Sequence, residues 1–234
     1  GRNMFSKVFE KLTDALLISF QNRRILKYLP RKMGTIIDVG AHEGQMFISL
    51  NKFKIDFNKI IVFEPFEESF SKIMKFNSNK IVGHNIALGS KIETRNLKIN
   101  KYNVTNTFAE PNEKLIKFRI KNFLFNSRNK SSYFMEEVHN IATLDSYLDL
   151  ENGDYDLLKI DTEGYELEVL KGAKKVLTQG RVKNIIIELH KKDTYKNYNP
   201  NDIDKFLTDC NFKLVKDFNI YLLGFKDSLY TMNS

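Results

Sequence analysis

Four short segments place carboxylate, amide or glycine residues directly after runs of apolar residues. They are Asp38–Gly40, Glu64–Pro65, Asn85–Ala87 and Asp161–Glu163. If the apolar runs are parallel strands, their carboxyl ends lie along one edge of a sheet, and in open α/β sheets ligands bind beyond that edge. The sequence therefore predicts that the four segments surround one binding site.

The first segment leads into a turn that is bracketed by two glycines, Gly40 and Gly44. Glycine lacks a Cβ atom, so a ligand can approach the backbone closely, and the start of the next helix offers free N–H groups. The spacing lacks the complete G-x-G-x-x-G pattern of dinucleotide-binding proteins, which argues against NAD and FAD. A turn with a purely structural role would explain the two glycines equally well.

Glu64 ends the second apolar run, about two dozen residues after the glycine turn. An acid at this position of a doubly wound sheet can accept hydrogen bonds from both ribose hydroxyls of a nucleoside cofactor. The alternative is an ordinary carboxylate at a strand end that faces solvent or a lysine. Because Glu64 follows a glycine turn, we favour the ribose role.

Alternating strands and helices must position these residues. From Gly34 onward, short β-rich apolar runs alternate with segments whose apolar residues recur at helical spacing. This alternation predicts an α/β fold with a doubly wound, mostly parallel sheet and a terminal antiparallel strand. The predicted strands are 34–40, 59–64, 81–87, 155–161, 182–189 and a closing antiparallel pair, 212–218 and 220–225, and the predicted helices include 66–77, 166–177 and 202–210, the last capped by Asn201.

The chain has 234 residues, of which 42% are hydrophobic, and this is enough for one sizeable core. Residues 1–33 are predicted to form an N-terminal helical extension, and residues 34–234 the main domain. An insertion at about 90–141 has too few helix-forming runs to be a domain of its own. We predict a β-hairpin there, with one arm at Leu97–Ile99, and a mobile lid around Phe123–Ser132, where Asn, Ser and Lys cannot supply a packed core.

Lys and Arg number 37 against 29 Asp and Glu, which gives a net charge of +8 and permits anionic partners. The lysines are scattered, as on solvated faces, and form no dense run. The single Cys210 cannot form an internal disulfide and indicates a reducing, cytoplasmic compartment. No apolar stretch approaches the roughly 20 residues of a membrane helix, so no membrane span is predicted.

Seven short motifs stand in a defined order along the chain. They are DVGAHEG at 38–44, VFEP at 62–65, NIALG at 85–89, TLD at 143–145, KIDTEG at 159–164 followed by Glu166, LKGA at 170–173 and IE at 187–188. In this order and spacing the series resembles the FkbM family of methyltransferases, from about Gly34 to Leu189. The resemblance implies a class I fold that binds S-adenosylmethionine (SAM) and transfers a methyl group to oxygen, commonly a hydroxyl of a sugar or another secondary metabolite.

The resemblance also implies cofactor contacts, residue by residue. Within the matching motifs, Gly40, Ala41 and Gly44 would line the methionine part of SAM, Asp38 would support its amino group, Glu64 would take the ribose, and Asn85, Ile86 and Ala87 would lie by the adenine. Pro65 and His42 belong to the same motifs and are predicted to contact the cofactor as well, although His42 stands where the family more usually has Asn. Asp161 would face the sulfonium.

A hydroxyl acceptor is very weakly acidic, so a general base or a metal ion must help to remove its proton. The candidates are Asp161, Glu163 and His190. Asp161 and Glu163 are two residues apart beyond a strand, so both could face one cleft and share a proton or bind Mg²⁺. The alternatives are that Glu163 caps the helix after Gly164 and that His190 is structural.

Two other functions stay open at the level of sequence. The charge of +8 permits an RNA or protein methyltransferase, and a weak pattern of aromatic residues among basic ones would support RNA. That pattern consists of Phe123, Phe125, Arg128, Lys130 and Tyr133. The other alternative is a domain that binds SAM without catalysis. A small-molecule or glycan acceptor remains the favoured partner.

Overall fold

A computed structural model of the chain describes residues 15–100, 134–148, 153–220 and 224–233. Within these ranges the chain forms strands and helices in alternation. The strands are β1 (Lys32–Val39), β2 (Asp56–Phe63), β3 (Ile81–His84), β4 (Ala87–Leu88), β5 (Glu93–Asn100), β6 (Phe134–Ala142), β7 (Tyr155–Ile160), β8 (Val182–His190), β9 (Phe212–Ile220) and β10 (Phe225–Met232). The helices are α1 (15–26), α2 (Gln45–Lys52), α3 (Glu67–Met74), α4 (Leu144–Leu148), α5 (Glu166–Lys171), α6 (Lys174–Thr178) and α7 (Pro200–Asp209).

The main sheet has seven strands in the order β3-β2-β1-β7-β8-β10-β9. The pairs β1–β2, β1–β7, β2–β3 and β7–β8 are parallel, and β10 is antiparallel to both β8 and β9. The carboxyl ends of β1, β2 and β7 therefore lie side by side, where the strand order reverses direction. The predicted α/β class and mostly parallel sheet are confirmed.

Helices cover both faces of the main sheet because the central strands are apolar on both sides. Ile37 and Val39 of β1 belong to a core cluster that includes apolar residues of α4, α5, α6 and α7. The intervening Ile36 belongs to a second cluster, which includes residues of α1, α2 and α3. This division follows from the alternation of side chains along a strand, and it makes the sheet the middle of three layers.

Two predicted elements are each divided in the structure. The predicted strand 81–87 is two strands, since β3 joins the main sheet and β4 pairs with β6 in a separate sheet of order β4-β6-β5. The predicted helix 166–177 is also divided, into α5 and α6, around Gly172. A Cβ atom at Gly172 would lie 1.9 Å from the carbonyl oxygen of Gly89, so the backbone of the chain packs closely at this point.

The start of α6 receives its hydrogen bonds from a distant acid. The backbone N–H groups of Lys175 and Val176 donate to the two carboxylate oxygens of Asp145, at 2.9 and 3.0 Å. An acid at a helix start satisfies backbone N–H groups that have no partner within the helix. Asp145, from the TLD motif, therefore stabilises the second half of the divided helix.

Two further boundaries differ from the prediction. Helix α7 begins at Pro200, and its cap is Asn199, whose side chain accepts from the backbone N–H of Asn201, at 3.1 Å. Proline at the first helical position fits this start because its missing N–H is not needed there. The closing antiparallel pair is present as β9 and β10, but its second arm starts at Phe225, where the prediction ended it.

The insertion is described in part. Strand β5 contains the predicted arm at 97–99 and pairs with β6 in antiparallel register, from Glu93 opposite Ile141 to Asn100 opposite Phe134. The predicted lid at 123–132 and the first part of the predicted N-terminal helix lie outside the described residues. None of the helices within the described ranges is both long and apolar enough to cross a membrane.

The contact at Gly172 predicts that Gly172→Ala destabilises the protein. The added methyl group would meet the Gly89 carbonyl, and overpacking of this kind costs about 1–3 kcal/mol or more. Denaturant unfolding followed by circular dichroism measures the loss. Gly153→Ala is the matched control because no atom of the described residues lies within 4 Å of its Cβ position, so it should change the free energy of unfolding by less than about 1 kcal/mol. Equal stability of the two variants would contradict the close packing at Gly172.

Candidate active site

A cleft of about 450 Å³, measured out to the solvent, opens at the carboxyl ends of β1, β2 and β7. The strand β4 of the small sheet forms another part of its wall. The cleft thus lies at the switch in strand order, where the sequence predicted a site. It is lined by Val39, Gly40, His42, Phe63, Glu64, Pro65, Ile86, Ala87, Leu88, Asp161, Thr162 and Tyr165.

The glycine turn packs directly against the end of β7. Gly40 has a φ of 74°, and a Cβ atom on it would lie 1.8 Å from the carbonyl oxygen of Asp161. The backbone N–H groups of Gly40 and Ala41 both donate to the carbonyl oxygen of Phe63, at 2.9 and 3.2 Å. Gly40 is therefore required by the conformation of the turn and by its contact with the neighbouring strand end.

Glu64 joins the first turn to the second. Its Oε2 accepts from the backbone N–H of His42, at 2.8 Å, and its Oε1 accepts from that of Phe66, at 2.9 Å. Burial raises the pKa of Glu64, and the nearby His42 opposes this shift. Because a carboxylate oxygen can accept more than one hydrogen bond, both oxygens keep acceptor capacity on the cleft side.

His42 and Asp161 face each other across the cleft. Nε2 of His42 lies 3.5 Å from Oδ2 of Asp161, and the two side chains are 36% and 18% exposed. Burial opposes the charge on His42, but Asp161 raises the pKa of His42 to about 10. Burial likewise opposes ionisation of Asp161, but Lys159 and His42 hold the pKa of this acid below its usual value. At neutral pH the cleft therefore contains an imidazolium beside a carboxylate.

A buried lysine lies behind this pair. Nζ of Lys159 is 3.4 Å from Oδ1 of Asp38 and 3.5 Å from Oδ2 of Asp161. Burial alone would lower the pKa of Lys159, but the surrounding carboxylates raise it. Asp38 is itself buried beneath the cleft, and burial raises its pKa. The sequence motif contained Lys159, but only the pairing of β1 with β7 reveals its contacts.

Glu163 turns away from the cleft toward the interior. It has a φ of 53°, its Oε2 accepts from the hydroxyl of Tyr195 at 3.0 Å, and it lies 3.6 Å from Nε2 of His190. Burial, reinforced by Glu188, raises the pKa of Glu163 to about 8. The structure thus brings Glu163 and His190 together, but in a group that lies behind Asp161.

Glu166, rather than Glu163, holds the loop after β7. Its Oε1 accepts from the backbone N–H groups of Thr162 and Gly164, at 3.1 and 3.0 Å, and from the Thr162 hydroxyl at 3.3 Å. These bonds fix the backbone that carries both Asp161 and Glu163. Glu166 follows the KIDTEG motif, and its position two residues after a glycine is the sequence signal that could have indicated this role.

The other residues of the prediction lie in two places. Pro65, Ile86 and Ala87 line the cleft, while Ala41 and Gly44 are not among its lining residues. Asn85 is exposed and donates from its side chain to the backbone oxygens of Glu64 and Pro65, at 2.9 and 3.2 Å. Asn85 thus holds the turn after β2 and does not line the cleft itself.

Tyr165 lines the wall of the cleft, and none of the sequence motifs predicts this role. It is buried against the cleft, and its hydroxyl accepts from Nη1 of Arg95 at 2.9 Å, while the guanidinium lies 5.5 Å from the centre of its ring. Arg95 belongs to β5, so the contact joins the insertion to the loop after β7. No sequence pattern links positions 95 and 165, which are brought together only by the second sheet.

Residues 38–214 match the sequence model of the methyltransferase FkbM domain, over more than half of the chain. The chain belongs to this family. The predicted family is therefore confirmed, and the cleft of this FkbM domain lies at the switch in strand order, where open α/β sheets bind ligands. A search of curated proteins found no match.

Solved structures share the fold of the FkbM domain at low sequence identity. The crystal structure of methyltransferase FkbM from Methylobacillus flagellatus has a TM-score of 0.55 and 14% identity, over 86% of this chain and 44% of that one. A protein of the NADB-Rossmann superfamily from Streptococcus agalactiae has a TM-score of 0.51 and 13% identity, over 91% of this chain and 68% of that one. A putative RNA methyltransferase from Pyrococcus horikoshii has a TM-score of 0.50 and 7% identity, over 95% of this chain and 85% of that one. The chain spans less than half the length of the first of these structures.

The position of Glu64 predicts a loss of SAM affinity in Glu64→Ala. If the carboxylate holds the ribose, each lost hydrogen bond to it should weaken binding by about 1.5–3 kcal/mol. Calorimetric titration with SAM measures this effect, and circular dichroism checks the fold of the variant. Glu67→Ala, on the exposed first turn of α3, removes an acid nearby and should bind SAM as the original chain does. Unchanged affinity in a folded Glu64→Ala variant would exclude the ribose role.

Proposed function

We propose that the chain is a SAM-dependent O-methyltransferase whose acceptor is a hydroxyl of a sugar, a glycan or a related small metabolite. Bound SAM supplies an electrophilic methyl group on its sulfonium. The observation that supports this function best is the ionised Asp161, which faces the cleft beside the glycine turn. The single Cys210, a buried free thiol, agrees with the cytoplasmic location predicted from the sequence.

The lining of the cleft fits SAM in character. Glu64 offers acceptor oxygens for the ribose hydroxyls, and the apolar side chains of Phe63, Ile86 and Leu88 offer a surface for the adenine ring. The turn at residues 40–44 leads directly into α2, and the start of a helix offers backbone N–H groups that have no partner within the helix. The contact of Asp38 with Lys159 favours a role in fixing that lysine over direct contact with the amino group of SAM.

Asp161 is proposed to orient the acceptor and to receive its proton. As an ionised carboxylate that is 18% exposed, it can accept a hydrogen bond from a hydroxyl in the cleft. Its pKa is held low, so it takes the proton only as the new C–O bond makes the hydroxyl strongly acidic. Asp161 therefore contributes to the rate by aligning the hydroxyl oxygen with the methyl group of SAM, and not only by its basicity.

Two variants of this chemistry are part of the proposal. Glu163 and His190 lie behind Asp161, and burial raises the pKa of Glu163, so its carboxylate is a stronger base than that of Asp161. Alternatively, Mg²⁺ could be held by oxygens of Asp161 and Glu163. EDTA followed by Mg²⁺ separates the two variants, since restored turnover would favour coordination and indifference to EDTA would favour direct proton transfer.

The acceptor class is tested by a methyl-transfer screen with labelled SAM. Nucleotide sugars and short glycans should accept the label, while tRNA and rRNA should not. Labelling of RNA alone would replace the proposed acceptor by nucleic acid. Binding of SAM without transfer to any acceptor, under conditions in which a known methyltransferase is active, would favour a non-catalytic role.

With an acceptor in hand, Asp161→Asn should lower turnover by roughly a hundredfold or more. The amide cannot take a proton, so turnover should fall. Because it keeps the shape of the side chain, SAM affinity should change little. Asp154→Asn is the matched control, because Asp154 is exposed just before the same strand. Turnover close to that of the original chain in both Asp161→Asn and Glu163→Gln would exclude both acids as the base.

A further inference from the structure

Three potential metal ligands meet behind the cleft, at the end of β8 and in the loop after β7. They are Glu163, Glu188 and His190, and one ligand atom of each lies within 4.8 Å of the others. All three side chains are buried, and that of His190 is 2% exposed. Sequence spacing could not reveal this group, because Glu163 is separated from the other two by α5, α6 and most of β8.

The two distances from His190 match those between neighbouring ligands of one ion. Nε2 of His190 is 3.1 Å from Oε1 of Glu188 and 3.6 Å from Oε2 of Glu163. Ligands bound at about 2.0–2.2 Å in tetrahedral or octahedral geometry lie roughly 3.0–3.6 Å apart. A single ion could therefore contact His190 and either acid without a large movement of these side chains, and the two acid oxygens lie within 4.8 Å of each other.

His190 lacks the hydrogen bonds that a buried imidazole normally makes. Neither of its ring nitrogens has a hydrogen-bond partner among the residues that the structure describes. Nε2 of His190 thus lies close to Oε1 of Glu188, but the angle between them is not that of a hydrogen bond. The rings of Tyr195, Tyr198 and Phe225 surround the imidazole, with centroids 5.3–6.2 Å away. Buried polar atoms without partners are rare, and a metal ion would satisfy one of these nitrogens.

The charges around His190 also favour a cation. Lys159 lies beside Asp38 and Asp161, at 3.4 and 3.5 Å. Oxygens of Glu163 and Glu188 both lie within 3.6 Å of the same imidazole nitrogen, so they converge at the point where an ion would lie. Carboxylate oxygens and an imidazole nitrogen are ordinary ligands of divalent ions, so this convergence favours a cation there.

The loop that carries Glu163 is fixed in an unusual conformation. Glu163 and Gly164 have φ values of 53° and 95°, and a Cβ atom on Gly164 would lie 2.3 Å from the ring of Tyr195. Positive φ at a non-glycine residue is strained and persists only where its surroundings enforce it. The Tyr195 hydroxyl donates to Oε2 of Glu163 at 3.0 Å, which orients the carboxylate as an outer-shell hydrogen bond does in metal sites.

We propose that Glu163, Glu188 and His190 bind a divalent ion of a first-row transition metal behind the methyl-transfer cleft. One imidazole nitrogen and two carboxylates suit ions such as Zn²⁺ or Mn²⁺ better than Mg²⁺, which prefers oxygen ligands and retains several waters. The binding does not depend on the proposed methyltransferase activity. His42 and Asp161 form a second possible set with Glu163 on the cleft side, and this set is the rival to be tested.

The test is a calorimetric titration of the full chain, after treatment with a chelator, with Zn²⁺ and separately with Mg²⁺. We expect about one equivalent of Zn²⁺ to bind, with Mg²⁺ at least about a hundredfold weaker. Co²⁺ serves as a spectroscopic probe, since its visible spectrum reports nitrogen ligation. Equal affinity for Mg²⁺ and Zn²⁺, or no binding of Zn²⁺, would overturn the proposal.

Variants then assign the ligands. Glu163→Gln, Glu188→Gln and His190→Gln should each weaken Zn²⁺ binding by about a hundredfold or more, and Tyr195→Phe by roughly ten- to a hundredfold. His139→Gln is the matched control, because His139 pairs with Glu137 at 3.3 Å on β6, away from the group, and it should bind as the original chain does. Circular dichroism establishes which variants are folded, and Glu163→Gln is the mildest change.

Two outcomes would contradict the assignment. If His42→Gln abolishes binding while folded His190→Gln retains it, the ion belongs to the cleft-side set. If His139→Gln weakens binding as much as His190→Gln does, the ion binds to surface histidines. Because each measurement is a binding titration without acceptor or SAM, a failure here leaves the proposed methyl transfer standing, and a failed acceptor screen leaves the metal site standing.

Discussion

The close approach of the glycine turn to the end of β7 is the constraint on which the rest of the site depends. With a Cβ position 1.8 Å from the Asp161 carbonyl, Gly40 has no room for a side chain, and its φ of 74° is one that other residues rarely adopt. This contact lets β1 and β7 pair up to Val39 and Ile160, so that the first turn and Asp161 open on the same cleft. Glu64 then fixes the other side of the turn by accepting from His42.

The same close packing buries an unusual number of charges at the edge of the sheet. Asp38, Lys159 and Glu188 occupy strand positions where apolar residues would ordinarily pack, and Gln21 of α1 donates to Asp227 of β10 at 2.9 Å. Burial of such groups costs free energy unless they are paired. Lys159 supplies that pairing for Asp38 and Asp161, and it keeps Asp161 ionised at the surface of the cleft.

The strands and the general place of the site were predictable because both follow from local patterns. Apolar runs define β1, β2 and β7, and the polar residues that end them are adjacent in the sequence. Contacts between distant segments were not predictable in this way. The division at Gly172 depends on the Gly89 carbonyl, and the cap of α6 comes from Asp145, about thirty residues earlier. His190 and Glu163 meet only because β8 lies beside β7 in one particular register.

Asp161 and Glu163 show most clearly why sequence spacing alone was insufficient. Two residues separated by one along an extended strand point to the same side, so both acids were expected to face one cleft. The positive φ at Glu163 breaks that alternation, and Glu166 holds the backbone there through the N–H groups of Thr162 and Gly164. Asp161 consequently faces the cleft, while Glu163 faces Tyr195 and His190. One short loop therefore presents Asp161 to the cleft and Glu163 to the buried residues behind it, and Glu166 fixes the backbone that carries both acids.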